Sequence, residues 1–234
     1  MSGHQARWAY HFADPRSEDD VALAGNASLS LAPGRPGDIV VIPLVTERGV
    51  TVGSGLTRKP GLVEAIRAIP GIGSVRLSPI GGTIGPGGPE WLAMLMVVRL
   101  PEALARPLDA LLGAAIQLLQ RPLAPYGLEL VPGRVAGAWC PGFSDLAVQG
   151  RKLVGIGFKL TREVALMRAV VGLREPSPAD LHSLDAGHRA FGPGVELDSL
   201  TWLGQLTGRP RLTQTEAIDL LASANPPHPE KISA

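Results

Sequence analysis

Cysteine is almost absent from this chain of 234 residues, which contains a single one, at position 140. One cysteine can form neither an internal disulfide nor, by itself, a structural zinc site, so we expect a protein of the reducing cytoplasm. Aromatic residues make up only 4% of the sequence. The core must therefore be packed mainly with aliphatic side chains.

Long apolar runs are also missing. No stretch reaches the length of a membrane span without Gly, Pro or charge, and the first twenty residues lack the apolar segment of a signal peptide. Charge of one sign is not in excess either, because 22 basic residues oppose 21 acidic ones and no long run of like charge occurs. We therefore expect no membrane and no nucleic acid among the partners.

The five histidines are scattered along the chain. Two of them, His182 and His188, are expected on a helix near the surface. Nothing in their spacing predicts a metal site made by the protein alone, so any Mg²⁺ is expected to arrive with a nucleotide.

Glycine and proline are abundant, with 29 and 22 residues, so turns must be frequent. Short apolar or alternating runs bounded by Gly, Pro or Asp predict at least five strands. The runs are 38–45, 49–55, 91–100, 127–139, 145–150 and 152–160. Because strands do not alternate regularly with helices, the pattern predicts an α+β domain with a mostly antiparallel or mixed sheet.

Helical signals occur in four segments. Residues 60–69 open with Pro, and residues 107–120 are apolar nearly all round, which predicts a central helix covered on most sides. Ser177 precedes Pro178 as an N-cap, and Thr213 with Glu216 forms a capping box. The chain from about residue 176 onward is therefore expected to be rich in helix.

A glycine-rich loop lies within 75-VRLSPIGGTIGPGGPEWLAMLMVV-98, where five glycines and three prolines separate two strands. Such a loop can bring backbone N–H groups against a ligand, because glycine has no Cβ and can take positive φ. It could equally be a surface turn. It is not a P-loop, because no Gly-Lys-Ser/Thr follows, and it lacks G-x-G-x-x-G spacing.

A second segment, 138-AWCPGFSDLAVQGRKLVGIGFKL-160, combines Cys140, Asp145 and Lys152. It can be interpreted as a β-hairpin in which Gln149-Gly150 form the bend, Lys152 is solvated, Cys140 is an ordinary buried thiol and Asp145 caps a strand. The alternative interpretation is a working site. The residues of this segment alone do not decide between the two.

Together the two segments resemble the biotin/lipoate A/B protein ligase family, which includes lipoate–protein ligases and octanoyltransferases. The first matching element runs from Arg76 to Thr83 and the second from Asp145 to Gly155, in the family's order and spacing. The resemblance covers roughly residues 38–175. It implies an α+β fold like the catalytic domain of biotin and lipoate ligases, with a large mixed or antiparallel sheet flanked by helices.

The resemblance also implies a division of the chain and a reaction. Residues 1–175 would form the catalytic domain, 176–224 a small helical segment packed on it, and 225–234 a flexible tail. A ligase of this family joins lipoate or octanoate to AMP, using ATP and Mg²⁺, and transfers the acyl group to a lysine of a lipoyl carrier protein. Such carriers are the glycine cleavage H protein and the lipoyl domains of 2-oxoacid dehydrogenases.

The family pattern also suggests roles for individual residues. Lys152 would stabilise developing charge in a dry site, and Asp145 would face the ribose, the metal or the incoming amine. The remaining acyl- and ATP-binding residues implied by the resemblance are Arg76, Gly81, Gly82, Thr83 and Gly155. Arg76 would hold the ligand or the loop.

Three alternatives stay open at the level of sequence. Cys140 could be the nucleophile of an octanoyltransferase that takes its acyl group from acyl carrier protein, since a nearby ammonium favours the reactive thiolate. A catalytically degenerate scaffold that binds lipoyl domains is the second alternative. Biotin–protein ligase is the third and is less expected, because no arginine-rich adenylation loop is visible.

The chain also departs from the family pattern. The octanoyltransferase branch often has His-Gly-x-x-x-Asn after the lysine strand, whereas this chain has Arg168 and neither His nor Asn there. Pro86 and Pro89 follow the double glycine where relatives have His-Asp or Tyr-His. These departures favour a divergent or carrier-restricted member.

Overall fold

A computed structural model describes residues 8–17, 35–82, 84–100 and 107–226. Among these residues the strands are β1 (Ala9–Phe12), β2 (Arg16–Ser17), β3 (Asp38–Val45), β4 (Gly49–Gly53), β5 (Ser74–Ser78), β6 (Ile84–Gly87), β7 (Trp91–Arg99), β8 (Val131–Pro132), β9 (Leu146–Val148), β10 (Arg151–Leu160) and β11 (Val164–Gly172). The α-helices are α1 (Ser54–Thr57), α2 (Leu62–Arg67), α3 (Pro107–Gln120), α4 (Pro178–Arg189), α5 (Leu203–Leu206) and α6 (Gln214–Ala224). Short 3₁₀ turns occur at Ala124–Tyr126 and Leu197–Ser199.

The strands form two sheets. The larger has the order β1-β3-β7-β11-β10-β9-β8, with β2 also paired to β3, and the smaller has the order β5-β4-β6. Antiparallel pairing runs from β3 to β8, whereas β1 and β2 lie parallel to β3 and β5 lies parallel to β4. The predicted α+β fold with a large mixed sheet flanked by helices is confirmed.

The central strands of the large sheet are buried on both faces. Along β7, Leu92, Met94, Met96 and Val98 face one hydrophobic core, while Trp91, Ala93, Leu95 and Val97 face a second. The first core is covered by α3 and α6, and the second lies between the large and small sheets. This alternation follows from the two-residue side-chain period of a strand.

The helix signals of the sequence are matched closely. Helix α3 has the bounds that its apolar period predicts, although only one stripe of it is fully buried and the other faces are half-buried. The Ser177 side chain accepts a hydrogen bond from the Asp180 amide, and both bonds of the Thr213–Glu216 capping box are present. Of the helices in the described part of the chain, none has both the length and the apolarity that crossing a membrane requires.

Two sequence-based predictions about local structure are wrong, and one strand was not predicted. Residues 127–139 are largely loop, with only Val131–Pro132 in a strand; their apolar side chains fill the cores instead of alternating along a sheet. His182 is exposed, as predicted for a helix near the surface, but His188 on the same helix is buried. Strand β11, which is central in the large sheet, was not among the predicted strands.

Of the predicted tail 225–234, only Asn225 and Pro226 belong to the described part of the chain. Asn225 is buried, and its side-chain amide donates to the carbonyl oxygens of Leu118 (3.0 Å) and Leu221 (2.8 Å). Its Oδ1 accepts a hydrogen bond from Arg121 at 3.0 Å. The asparagine thus ties α3 to α6, while residues 227–234 lie outside the described part of the chain.

Candidate functional site

A cavity of about 460 Å³ lies between the two sheets. Strands β4, β5 and β6 of the small sheet form one wall, and β10 and β11 of the large sheet form the other. The loop from Trp139 to Asp145 closes one end, while Leu108, Phe143, Phe158 and Leu160 also line it. Both sequence segments that carry the family resemblance therefore meet at this cavity, which is lined mainly by apolar groups.

Lys152 is turned into this cavity by the hairpin that precedes it. Gln149 (φ 51°) and Gly150 (φ 77°) both have positive φ, as two-residue hairpin turns require. The turn pairs Arg151 with Val148 and Lys152 with Ala147, so that Lys152 shares the buried face of Ala147. The lysine side chain is 0% exposed, and the interpretation of Lys152 as a solvated turn residue is wrong.

The ammonium group of Lys152 contacts Asp145, Trp139 and Cys140. Its Nζ lies 2.7 Å from Asp145 Oδ1, donates to the Trp139 carbonyl oxygen at 2.5 Å, and sits 4.4 Å from the centre of the Trp139 ring. Trp139 in turn packs edge-on against Trp91, with ring centroids 5.0 Å apart. The contact with Trp91 holds the Trp139 ring in place beside the Lys152 ammonium.

Burial and ion pairing shift the pKa values of Lys152 and Asp145 in opposite directions. Burial lowers the pKa of Lys152, and the negative charge of Asp145 partly offsets that effect. Burial likewise raises the pKa of Asp145 against the opposing charge of Lys152. Because the two pKa values shift towards each other, transferring a proton between Lys152 and Asp145 costs less free energy than it would in water. Such a pair suits a site where an amine must lose a proton.

Gly155 makes room for the lysine side chain. A β-carbon at this position would lie 3.1 Å from Lys152 Cε, 3.2 Å from its Nζ and 3.1 Å from Trp139 Nε1. Any larger residue would press on the ammonium group and on the ring beside it. The structure places Gly155 in the cavity wall, with its chief effect on the position of Lys152.

Cys140 lies at the same end of the cavity. Its backbone has a positive φ of 44°, rare for a residue with a side chain, and its carbonyl oxygen is 3.5 Å from Lys152 Nζ. The thiol lies 3.6 Å from the point that a β-carbon on Gly82 would occupy. The strained turn thus places the sulfur beside the glycine loop and the carbonyl oxygen of the same residue beside the buried ammonium.

The loop after Cys140 is tied to the strand that carries Lys152. The Gly142 amide donates to Asp145 Oδ2 at 3.0 Å, and Ser144 Oγ donates to the Ile156 carbonyl at 2.7 Å. Phe143, which is 63% exposed, stacks on Phe158 at 6.4 Å. The stacked pair Phe143 and Phe158 therefore forms an apolar part of the cavity lining.

The glycine loop forms a roof of bare backbone. Gly81 (φ 32°) and Gly82 (φ 62°) have positive φ, and both line the cavity. A β-carbon on Gly53 would fall 2.0 Å from the Gly81 carbonyl oxygen, and one on Gly81 would fall 2.9 Å from the Phe158 amide. The roof is thus in backbone contact with both sheets. The predicted site residue Thr83 lies outside the described residues.

The structure does not bring Arg76 to the cavity. Its guanidinium donates to Ser74 Oγ at 2.7 Å and to the Glu47 carbonyl at 2.8 Å, near the start of β5. Arg168 lines the cavity instead, and its Nη2 donates to Thr51 Oγ1 at 3.2 Å. The sequence signal for this residue was a charge in the middle of an apolar run, which points to a polar surrounding on one face.

The described residues do not form a metal site. They contain no group of three or more His, Cys, Asp or Glu side chains able to hold an ion. Among the described residues that line the cavity, Asp145 is the carboxylate, and its oxygens are engaged by Lys152 and by the Gly142 amide.

Comparisons with known proteins give a partial match in sequence and a wider match in structure. No protein-family model matches the chain. A curated relative, octanoyl-[GcvH]:protein N-octanoyltransferase from Exiguobacterium, is 30% identical over 80 residues, which cover 34% of this chain and 29% of the relative. The match therefore spans less than a third of that protein's length.

Solved structures extend the similarity to almost the whole chain. A Thermoplasma acidophilum protein assigned as a lipoate protein ligase, solved with lipoic acid, has a TM-score of 0.61 at 13% identity, covering 93% of this chain and 84% of its own. Lipoate-protein ligase A bound with ATP has a TM-score of 0.60 at 12% identity, covering 93% and 83%. The resemblance to the biotin/lipoate ligase family is thereby confirmed, with the fold of a lipoate ligase catalytic domain.

Proposed function

We propose that this protein is an acyltransferase that moves an octanoyl group through Cys140 to a lysine amine on a lipoyl carrier protein. The observation that carries the proposal is the position of Cys140 in the cavity lining: its thiol lies 3.6 Å from the β-carbon position of Gly82, and its carbonyl oxygen lies 3.5 Å from the buried ammonium of Lys152. The Exiguobacterium relative, an octanoyltransferase by name, supports the same reaction class.

In the first step the Cys140 sulfur attacks the carbonyl carbon of the octanoyl donor. A carbon–sulfur bond forms, the bond from that carbon to the donor's leaving atom breaks, and the thiol proton leaves with the donor. The cavity is mainly apolar and bordered by the Gly81-Gly82 loop, so the alkyl chain can lie against side chains while the backbone approaches its carbonyl group closely.

Lys152 would stabilise the negative charge that develops on the carbonyl oxygen during this attack. An ammonium group is most effective in this role when it is fixed and water is excluded. Both conditions hold, because Lys152 is 0% exposed and is gripped by Asp145 and the Trp139 carbonyl. Asp145 is a positioning residue that keeps the ammonium in place.

In the second step the lysine amine of the acceptor attacks the thioester. An amide bond forms, the carbon–sulfur bond breaks, and the amine gives up a proton as the thiol is restored. The Lys152–Asp145 pair lines the same cavity as Cys140 and can take part in this proton movement, because burial brings the pKa values of the two groups towards each other.

An ATP-dependent ligase is the alternative that the lipoate ligase fold leaves open. It would form the acyl-adenylate from lipoate or octanoate, ATP and Mg²⁺, and it would not need the thiol of Cys140. Arg76, expected to hold the ligand or the loop in that reaction, is bonded to Glu47 and Ser74. The cavity therefore offers a built position for a nucleophile, whereas the arginine predicted for the nucleotide reaction lies elsewhere.

The decisive experiment supplies two acyl sources in parallel. Purified protein and a lipoyl domain are incubated either with octanoylated glycine cleavage H protein or octanoyl acyl carrier protein and no ATP, or with octanoate, ATP and Mg²⁺. Intact-mass spectrometry follows both the protein and the lipoyl domain. We expect the ATP-free reaction to give a hydroxylamine-sensitive octanoyl adduct on the protein and a stable adduct on the lipoyl domain.

Cys140→Ala should abolish both adducts while its urea unfolding curve stays close to that of the wild type. Arg76→Met serves as a matched variant, because Arg76 is buried but lies outside the cavity lining. Adducts that require ATP and persist in Cys140→Ala would establish the ligase instead. Binding of the lipoyl domain without any adduct would indicate the scaffold.

A further inference from the structure

Three of the four tryptophans of this chain pack together beside Lys152. The Trp91 ring lies edge-on to Trp139, with centroids 5.0 Å apart, and edge-on to Trp202, with centroids 5.2 Å apart. Each of the three residues is at most 5% exposed, and of the three it is Trp139 that lines the cavity. Trp91 and Trp202 therefore contact the site through Trp139 and not through the space that a substrate would fill.

Trp139 joins this aromatic cluster to the buried charge. Its carbonyl oxygen accepts a hydrogen bond from Lys152 Nζ at 2.5 Å, and its ring centre lies 4.4 Å from the same nitrogen, where the face of an indole attracts a cation. Trp139 belongs to residues 133–145, the Cys140 loop, which contain neither helix nor strand. Because no ladder of backbone hydrogen bonds holds this loop, the packing of the Trp139 ring contributes to the position of the Lys152 ammonium.

The C-terminal segment 196–202 is fastened to both parts of the site. The Glu196 amide donates to the Gly137 carbonyl at 2.7 Å, which ties the segment to the Cys140 loop. The Thr201 amide donates to the Lys152 carbonyl at 3.0 Å, which ties it to strand β10. The segment therefore holds the loop and the strand in one relative position, and it ends in Trp202.

A glycine of the large sheet makes room for the Trp202 ring. Gly172 is the strand partner of Trp91 across β11 and β7. A β-carbon on Gly172 would lie 2.9 Å from Trp202 Cε3 and 3.1 Å from its Cζ3. A side chain at position 172 would thus occupy the place of the ring, and its absence lets Trp202 reach Trp91.

On these contacts we propose that Trp202 is a positioning residue of the acyl-transfer site, which acts through Trp91 and Trp139 to hold the Lys152 ammonium where charge develops. The inference rests on the proposed function, because the charge in question is that of thioester formation and breakdown at Cys140. Trp202 lies outside the cavity lining, so it has no direct contact with the reactants. Its loss should therefore slow the reaction without weakening the binding of the acceptor.

The test compares two tryptophan variants of the full-length protein. Trp202→Leu removes the proposed contact, and Trp8→Leu is the matched control, because Trp8 is also 5% exposed but belongs to the first core, on the other face of the large sheet. Each variant is loaded with octanoyl acyl carrier protein, and single turnovers with increasing concentrations of a lipoyl domain are followed by intact-mass spectrometry.

Trp202→Leu should lower the maximal rate constant about 10-fold and leave the half-saturating concentration of the lipoyl domain within about 2-fold of the wild type. Trp202→Phe keeps an aromatic contact with Trp91 and should recover most of the rate. Trp8→Leu should transfer at the wild-type rate, although its urea unfolding curve should shift as that of Trp202→Leu does.

The NMR spectrum of the lysine side chains reports the position of Lys152 without any turnover. In protein labelled with ¹³C-lysine, the ring current of Trp139 should displace the ε-methylene signal of Lys152. This displacement should change in Trp202→Leu and stay unchanged in Trp8→Leu. If the leucine variant does not fold, both measurements are made on Trp202→Met, whose flexible side chain fills an irregular gap more readily.

A Lys152 signal that does not move in Trp202→Leu would overturn the inference. Equal losses of rate in Trp202→Leu and Trp8→Leu would overturn it as well, because they would reflect general destabilisation of the core. The octanoyl adduct separates this inference from the proposed function. A displaced Lys152 signal without any adduct on the wild type would refute the transferase alone, whereas an adduct that Trp202→Leu transfers at the wild-type rate would refute the positioning role alone.

Discussion

Replacing Lys152 with methionine should destabilise the fold strongly, because it leaves the Asp145 carboxylate without its cation. Asp145 is 2% exposed, and its remaining partners are backbone amides, among them that of Gly142 at 3.0 Å. Breaking a buried ion pair by removing one partner costs about 3–5 kcal/mol. Since a domain has a free energy of unfolding of about 5–15 kcal/mol, this is a large share of the total.

The double variant Lys152→Met/Asp145→Asn should recover much of that loss. Asparagine removes the charge but keeps an oxygen that can accept from the backbone amides, so the two substitutions should be non-additive by at least about 2 kcal/mol. Arg151→Met is the matched control, because Arg151 is the neighbouring cation of the hairpin and is only half-buried. It should change the free energy of unfolding by no more than about 0.5 kcal/mol.

The penalty should also depend on pH. In Lys152→Met the buried carboxylate can escape only by binding a proton, so the pKa of Asp145 in the folded variant lies above its ordinary value of 3.8. The folded variant then binds more protons than the unfolded chain above that value, and the penalty shrinks as pH falls through this range. Urea unfolding followed by tryptophan fluorescence, repeated across this pH range, measures the loss in the free energy of unfolding. A loss below about 1 kcal/mol that does not vary with pH would refute the buried ion pair.

Three further predictions rest on single side chains. Gly155→Ala should slow acyl transfer by at least about 10-fold by displacing the Lys152 ammonium, a change that single-turnover mass spectrometry would detect. Gly113→Ala is its control; nothing lies within 4 Å of the added carbon in α3, so transfer should be unchanged and the free energy of unfolding should rise by about 0.5–1 kcal/mol. Burial lowers the pKa of His188 from 6.5 to about 4, so the folded state binds fewer protons between those values and loses up to about 3 kcal/mol as pH falls through them. His188→Leu should remove this loss of stability at acid pH in urea titrations. The control, His182→Gln, changes an exposed histidine and should keep it. An unchanged pH profile in His188→Leu would contradict the assignment of the acid sensitivity to His188.

Much of the fold could be predicted from the sequence where local chemistry decides structure. The strand 38–45 and the helix 107–120 have the predicted bounds, because their periods are clean and their ends are marked by Gly, Asp or Pro. Strand β11 was missed because Arg168 interrupts its apolar run. Residues 127–139 were misassigned because their apolar side chains serve tertiary packing, which a local pattern does not distinguish from a strand.

The candidate site was predictable in part for the same reason. Lys152, Asp145 and Cys140 lie close along the chain, so one hairpin suffices to bring them together. The choice between Arg76 and Arg168 depends instead on how two sheets face each other. Arg76 lies on the same face of β5 as Ser78, which lines the cavity, but two residues earlier in the strand. At that position its guanidinium donates a hydrogen bond to the Glu47 carbonyl and does not reach the cavity.

The backbone contact between Gly53 and the glycine roof has a consequence for redesign of this protein. Because a β-carbon at Gly53 would fall 2.0 Å from the Gly81 oxygen, the roof and the small sheet would have to part before any side chain could be introduced there. Libraries aimed at new acyl donors should therefore leave positions 53 and 81 unchanged and vary the opposite floor, where Phe158 and Val170 present replaceable side chains. Substitutions at Gly53 or Gly81 would instead prevent the glycine loop from packing against the small sheet.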